Sequence, residues 1–257
     1  MRANSVDGLL VIGRTLTALF DVGSVYLAFL IADKLYGRWA GLLAAALSAF
    51  TVLQIQLAHF FAVDPISTTF VLLALYGAML MSEQGSTGAA VLTGVGVGLA
   101  VASKFSALPI VAAPAVAAWA AGRKKAAAGR GAEGAAARFA LSCLVAFVVF
   151  FATSPYVFLD FGAFFAAVIK EQGAMVRGWA DLPFTRQYRG TWPYVYFIRQ
   201  QVQWGMGLAL GVLGFLGLLW TLLRAFVARV KTGELILLSW IVPYFGVTGL
   251  FLAKFMR

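Results

Sequence analysis

Long apolar stretches separated by short polar turns run the length of the chain. A helix that crosses the hydrocarbon core of a bilayer needs roughly 20 mostly apolar residues. Eight stretches approach that requirement, at about 8–32, 39–56, 65–82, 88–102, 105–121, 139–155, 204–223 and 235–253. The fourth is short and carries Gly94, Gly96 and Gly98. It predicts a partial span or a helix packed tightly through its small residues. The alternation of a transmembrane barrel is absent. The polar start leads into a span too long for the apolar core of a signal peptide. No internal repeat of the kind built into secondary transporters is visible. The pattern predicts an all-α fold, a polytopic transmembrane helical bundle with about eight membrane segments. Its one extracytoplasmic loop, 156–203, contains an interfacial helix.

Composition agrees with the pattern. Of 257 residues, 62% are hydrophobic and 12% charged, and the mean hydropathy is +0.89. Soluble domains are nearer 45–50% apolar and about 25% charged. A soluble enzyme, a disordered chain and a disulfide scaffold are excluded, and the single Cys143 has no internal partner. The net charge of +10 would suggest nucleic acid in a soluble protein. In a membrane chain, positive loops flanking the spans explain it first, so no nucleic-acid partner is expected.

Lys and Arg in the turns set the orientation. Lys34 and Arg38 mark the first turn. Arg123, Lys124, Lys125, Arg130 and Arg138 crowd the segment 122–138, and Arg224, Arg229 and Lys231 lie in 224–234. With eight spans all three fall on one side, read as cytoplasmic. The opposite side then carries the Met1 end, the 56–64 turn, the 102–105 turn, loop 156–203 and the Arg257 end.

In loop 156–203, the stretch 161–177 reads as a helix whose Phe161, Phe164, Phe165, Val168 and Ile169 form an apolar side, suited to lie along the membrane surface. Trp179 to Trp204 is dense in aromatics and arginines, among them Arg186, Tyr188, Arg189, Trp192, Tyr194, Tyr196 and Arg199. Two readings stand. It is an interfacial aromatic belt, or it is a lid holding an anionic lipid head group, with Arg186, Tyr188 and Arg189 as contacts.

Ionisable groups at membrane depth are costly and mark candidate sites. Arg14 and Asp21 are seven residues apart on one face of the first span. They form an intramembrane tie, or Arg14 contacts substrate. Asp64 and Pro65 stand where the third span begins. Asp64 can cap that helix, with Pro65 in the first turn. His59 is the only histidine, which makes no metal site. Interfacial packing is its plain reading and a substrate contact the sharper one. Lys104 interrupts an apolar stretch on the same side as Asp64. It snorkels to the head groups, or holds a phosphate as a point charge. Lys254 and Arg257 end the chain on that side. An acid and several cations gathered there suggest a site for an anionic, membrane-embedded substrate. Walker A, GxSxG and HExxH motifs and paired cysteines are missing.

The order of several short motifs resembles the membrane glycosyltransferases of the C-type fold, near the protein O-mannosyltransferases and the lipid A aminoarabinose transferases. The matching pieces are Arg14 early in a span, Leu35-Tyr36-Gly37-Arg38-Trp39-Ala40-Gly41, His59-Phe60-Phe61-Ala62-Val63-Asp64-Pro65, and Gly98-Leu99-Ala100-Val101-Ala102-Ser103-Lys104-Phe105-Ser106-Ala107. The later Ser154-Pro155-Tyr156 and the run from Leu182 to Thr191 resemble a bacterial and archaeal branch. Residues 8–121 match best, within a partial domain covering 1–257.

The resemblance implies transfer of a sugar from a polyprenyl-phosphate-linked donor to a protein, lipid or glycan acceptor outside the cytoplasm. The setting it implies is a prokaryotic plasma membrane with an outward-facing site. Such inverting chemistry needs a carboxylate opposite the leaving phosphate and cations to hold that phosphate. By resemblance, Asp64 is the catalytic-site candidate and helps position acceptor or metal, and Lys104 meets the lipid phosphate. Arg14, His59, Arg186, Tyr188, Arg189, Lys254 and Arg257 complete the expected substrate contacts. Relatives carry their principal acid in a loop between the first and second spans. This sequence starts at the family's second span, so the resemblance implies a fragment. Some relatives use a divalent metal near an acidic pair; one member of that pair is present here. A transporter or flippase for a lipid-linked anion is the alternative.

Overall fold

The computed structural model describes residues 5–127, 133–227 and 229–255. Among them there is helix and no strand. Helix α1 is Ser5–Tyr36, and Gly37 turns the chain directly into α2, Arg38–Ala49. Gly37 sits at φ 91°, a conformation that favours glycine. After a 61° bend, α3, Val52–Ala58, completes the descent. Helix α4 is Val63–Gln84, closed by Gly85 in the left-handed conformation. Helix α5 is Thr87–Ser103, and the Ser86 hydroxyl caps it by accepting from the Ala89 N–H. A 3₁₀ segment, Phe105–Val111, leads into α6, Ala112–Ala127, and α7 is Glu133–Thr153.

Five helical stretches are long and apolar enough to cross a membrane: Asp7–Tyr36, Val63–Gln84, Phe105–Lys124, Gly134–Thr153 and Leu208–Phe226. The bent α2–α3 pair makes a sixth if counted as one span. The expected count of eight is therefore not reached by length. The fourth and eighth expected spans are helices of 17 residues, α5 and Thr232–Thr248. The chain is an integral membrane protein with an all-helical bundle.

The glycines of α5 serve close packing. A Cβ at Gly94 would lie 2.6 Å from the Ser142 carbonyl oxygen of α7, and one at Gly98 2.6 Å from that of Ala146. On another face, a Cβ at Gly96 would lie 2.6 Å from the Ala74 nitrogen of α4. Such small residues let helix backbones approach where lipid offers no hydrophobic drive to associate. Around this contact the core gathers Val71, Leu75, Met79, Val97, Ile110 and Ile236. Helix α1 joins through hydroxyls: Thr69 of α4 donates to the Phe20 carbonyl at 2.6 Å and meets the Ser24 hydroxyl at 2.8 Å.

Residues 154–207 fold as a helical loop. It comprises α8, Tyr156–Leu159; α9, Phe161–Phe164; a π segment to Glu171; α10, Gln172–Arg177; a 3₁₀ turn, Pro183–Tyr188; α11, Val195–Gln200; and a π segment, Gln201–Gly205. The helix expected over 161–177 is present as a continuous helical run. Helices α12, Leu208–Phe226, and α13, Thr232–Thr248, follow. The stretch after α13 returns to the loop. The Tyr194 N–H donates to the Gly249 carbonyl at 3.0 Å, and the Ala253 N–H to the Val176 carbonyl at 3.1 Å. Tyr194 holds φ 60°, strained for a bulky residue, and its hydroxyl donates to the Gly246 carbonyl.

Contacts fix the two ends of the bundle. At one end Lys34 pairs with Glu83. Buried Glu234, 1% exposed, accepts from Tyr36 Oη, Arg224 Nη1 and the Lys231 N–H. The Arg138 guanidinium lies beside Gly85, the C-cap of α4. All three basic segments thus meet at this end, as the turn pattern predicts; Arg130 lies outside the described residues. Asp64, Lys104 and the loop occupy the other end.

Candidate functional site

The residues that begin α4 and end α5 meet. Lys104 sits in an extended conformation between α5 and the 3₁₀ segment, at φ −153° and ψ 110°. This break turns its side chain towards the first turn of α4. There Lys104 Nζ donates to Asp64 Oδ1 at 2.6 Å. The two side chains are 31% and 12% exposed. Asp64 is not the helix cap that its position before Pro65 suggests. Ala62 holds the N-cap position, no side chain caps the helix, and the Asp64 carboxylate is committed to Lys104 instead. A carboxylate in the first turn also complements the positive end of the helix dipole.

This pair lines a cavity of about 460 Å³ between α1, α3, α4, the 3₁₀ segment and α13. Asp21, Gln54, Asp64, Thr68, Lys104 and Gln201 supply polar groups to its wall. Leu72, Leu75, Leu237, Trp240 and Ile241 make the deeper wall apolar, and Trp240 stacks on Tyr244 with ring centroids 4.6 Å apart. A charged mouth above an apolar shaft suits an amphiphile with an anionic head.

The other expected residues fall elsewhere. Arg14 is exposed on α1 and makes no ion pair among the described residues, so the Arg14–Asp21 tie is not formed. Asp21 instead lines the cavity. His59 is exposed at the end of α3, with Nδ1 2.7 Å from the Ile55 carbonyl. Arg186 and Arg189 both bind Asp181, at 2.8 and 2.7 Å. The Arg186 hydrogen bonds hold the Asp181 carboxyl below its usual range. Lys254 is 2% exposed; its Nζ donates to Thr191 Oγ1 at 2.7 Å and to the Leu252 carbonyl. Tyr188 is buried beside Tyr196 and Phe255. Arg257 lies outside the described residues. Arg186, Tyr188, Arg189 and Lys254 thus form part of the loop's own packing and do not line the cavity. Among the described residues no group of three or more His, Cys, Asp or Glu side chains gathers closely enough to hold a metal ion.

Sequence reasoning gave Gln54, Gln201 and Trp240 no role in the wall. Only Gln54 carries a signal, as one of two amides, with Gln56, in a helix that is otherwise apolar.

Residues 9–157 match the model of the dolichyl-phosphate-mannose-protein mannosyltransferase family, more than half of the chain. The chain belongs to that family. The matched region contains α1 from residue 9 onward and α2 to α7, and with them Asp64, Lys104 and most of the cavity wall. Membership makes the chain a membrane glycosyltransferase of the mannosyltransferase-like kind, whose family uses a polyprenyl-phosphate-linked sugar donor. No curated protein and no solved structure matches the chain.

Proposed function

We propose that the chain takes a sugar from a polyprenyl-phosphate-linked donor and passes it to an acceptor on the outer side of a prokaryotic plasma membrane. The observation that carries this reading is the Asp64–Lys104 pair at the mouth of the cavity. In this scheme the donor's phosphate lies against Lys104, and its first isoprene units follow the apolar wall of Leu72, Leu75 and Trp240. The bond between the anomeric carbon and the phosphate oxygen breaks as an acceptor hydroxyl oxygen bonds to that carbon, and the hydroxyl's proton passes to water while the phosphate leaves as the polyprenyl monophosphate. Lys104 neutralises the charge that grows on the departing phosphate, an interaction stronger in the transition state than before it. Asp64 keeps the ammonium in place and orients the acceptor. Arg186, Arg189 and Lys254 hold the loop in shape over this end of the bundle.

The test is donor consumption by the purified protein in lipid nanodiscs, with polyprenyl-phosphate mannose as donor and a lysate fraction as the source of acceptors. Sugar transfer that is lost in Lys104→Ala supports the reading. Transfer at an unchanged rate in both Lys104→Ala and Asp64→Asn refutes the site. Uptake of the lipid-linked sugar into proteoliposomes with no transfer refutes the reaction and favours the flippase alternative.

A further inference from the structure

Two buried polar atoms beside the cavity are left without partners. Asp21 Oδ1 and Gln54 Nε2 have no hydrogen bond among the described residues, although both side chains line the same cavity. One is an acceptor and the other a donor. The Gln54 amide stands close to the Asp21 carboxyl without closing a hydrogen bond to it. Its orientation is set from the far side, because Ser48 Oγ donates to Gln54 Oε1 at 3.1 Å, leaving the NH₂ towards the carboxylate. A buried group left unpaired loses its hydration with nothing in return. The pair therefore has unused capacity for a group that both donates and accepts.

Depth says where that group comes from. Thr69 donates to the Phe20 carbonyl, so Asp21 lies level with the residues five positions beyond Asp64. At 1.5 Å per residue this is about 7 Å below the Asp64–Lys104 pair. A single sugar ring attached to a phosphate at Lys104 spans that interval.

We infer that Asp21 and Gln54 form a hydroxyl-reading subsite for the donor's sugar, in which one sugar hydroxyl donates to Asp21 Oδ1 and accepts from Gln54 Nε2. This inference rests on the donor reading given under Proposed function.

The experiment compares two probes on the full chain in nanodiscs: farnesyl phosphate and farnesyl-phosphate mannose. The expected wild-type result is about tenfold tighter binding of the sugar-bearing probe. Asp21→Leu and Gln54→Leu each abolish most of that increment, and farnesyl phosphate that still binds to them reports an intact fold. If the increment survives in both variants, the subsite is overturned and the donor reading stands. If both variants lose farnesyl phosphate as well as the increment, Asp21 and Gln54 support the cavity's shape and read no hydroxyl, which also overturns it. If the wild type binds neither probe, the donor reading fails and the subsite with it.

Discussion

Replacing Asp64 by Asn tests the reasoning most severely, because two effects of the change have opposite sign. The Asp64–Lys104 contact is 2.6 Å long and partly shielded, with side chains 12% and 31% exposed. Exposed ion pairs contribute about 0–1 kcal/mol, and breaking a fully buried one costs about 3–5 kcal/mol. A charge-assisted bond at this intermediate depth, with solvent still screening Lys104, falls near ~1.5 kcal/mol, about tenfold in an equilibrium constant. That coupling is held against any other anion that approaches Lys104. The Asp64→Asn protein is therefore expected to bind farnesyl phosphate about tenfold more tightly than the wild type. Its sugar transfer should fall by about 10²-fold, because the acceptor loses the carboxylate that positions it. Lys104→Ala should weaken binding about tenfold or more and lower transfer as well. Isothermal titration gives the affinities, and release of labelled sugar from its polyprenyl phosphate gives the rates. Equal weakening of farnesyl phosphate in Asp64→Asn and Lys104→Ala would refute the idea that Asp64 competes with the phosphate for one cation.

Three further outcomes follow from other parts of the fold. Gly96→Val drives a side chain into the Ala74 backbone and should cost about 1–3 kcal/mol by overpacking, read as a lower midpoint of thermal unfolding in detergent; an unchanged midpoint contradicts the close α4–α5 approach. Glu234→Gln leaves Arg224 without its carboxylate at the opposite end of the bundle and should cost about 2 kcal/mol of stability with no change in farnesyl phosphate affinity; altered affinity would mean that the two ends are coupled. Burial pushes the Lys254 ammonium below its usual range. The folded state then binds fewer protons than the unfolded one between that lowered value and the normal lysine value of about 10.4, so stability rises with pH across this window. Hydrogen exchange in residues 249–255 should slow as pH rises through it, after correction for intrinsic rates, and Lys254→Met should remove the trend.

Much of the architecture was legible in apolar periodicity, because lipid demands long uninterrupted helices. The polarity of the bundle was readable from Lys34, Arg138 and Arg224, whose turns meet at one end. The fourth and eighth spans misled by count: α5 and α13 are apolar yet stop at 17 residues, and hydropathy alone does not register where a Lys104 or a Gly249 breaks a helix. At the site, the meeting of Asp64 with Lys104 followed from their common side of the membrane. The capping role did not, since Pro65 fixes a helix start only to within a residue or two and Ala62 took the cap. Arg186 and Arg189 looked free because their neutralising Asp181 is a loop residue whose proximity only the folded chain reveals. Asp21 looked paired with Arg14 because helical spacing aligns them, but a packed partner helix reaches one and not the other.

The brevity of α5 bears on how a lipid reaches the protein. Seventeen residues rise about 25 Å, short of the ~30 Å oily layer. With Ser86 at one terminus and Lys104 at the other, the bilayer beside α5 must thin, or the ammonium must sit beneath the glycerol level. In the proposed reaction a long-chain carrier would then enter laterally, with its phosphate sinking only slightly. A spin label at residue 104 quenched equally by oxygen and by a water-soluble nickel complex would mark that shallow depression; quenching by the nickel complex alone would refute it.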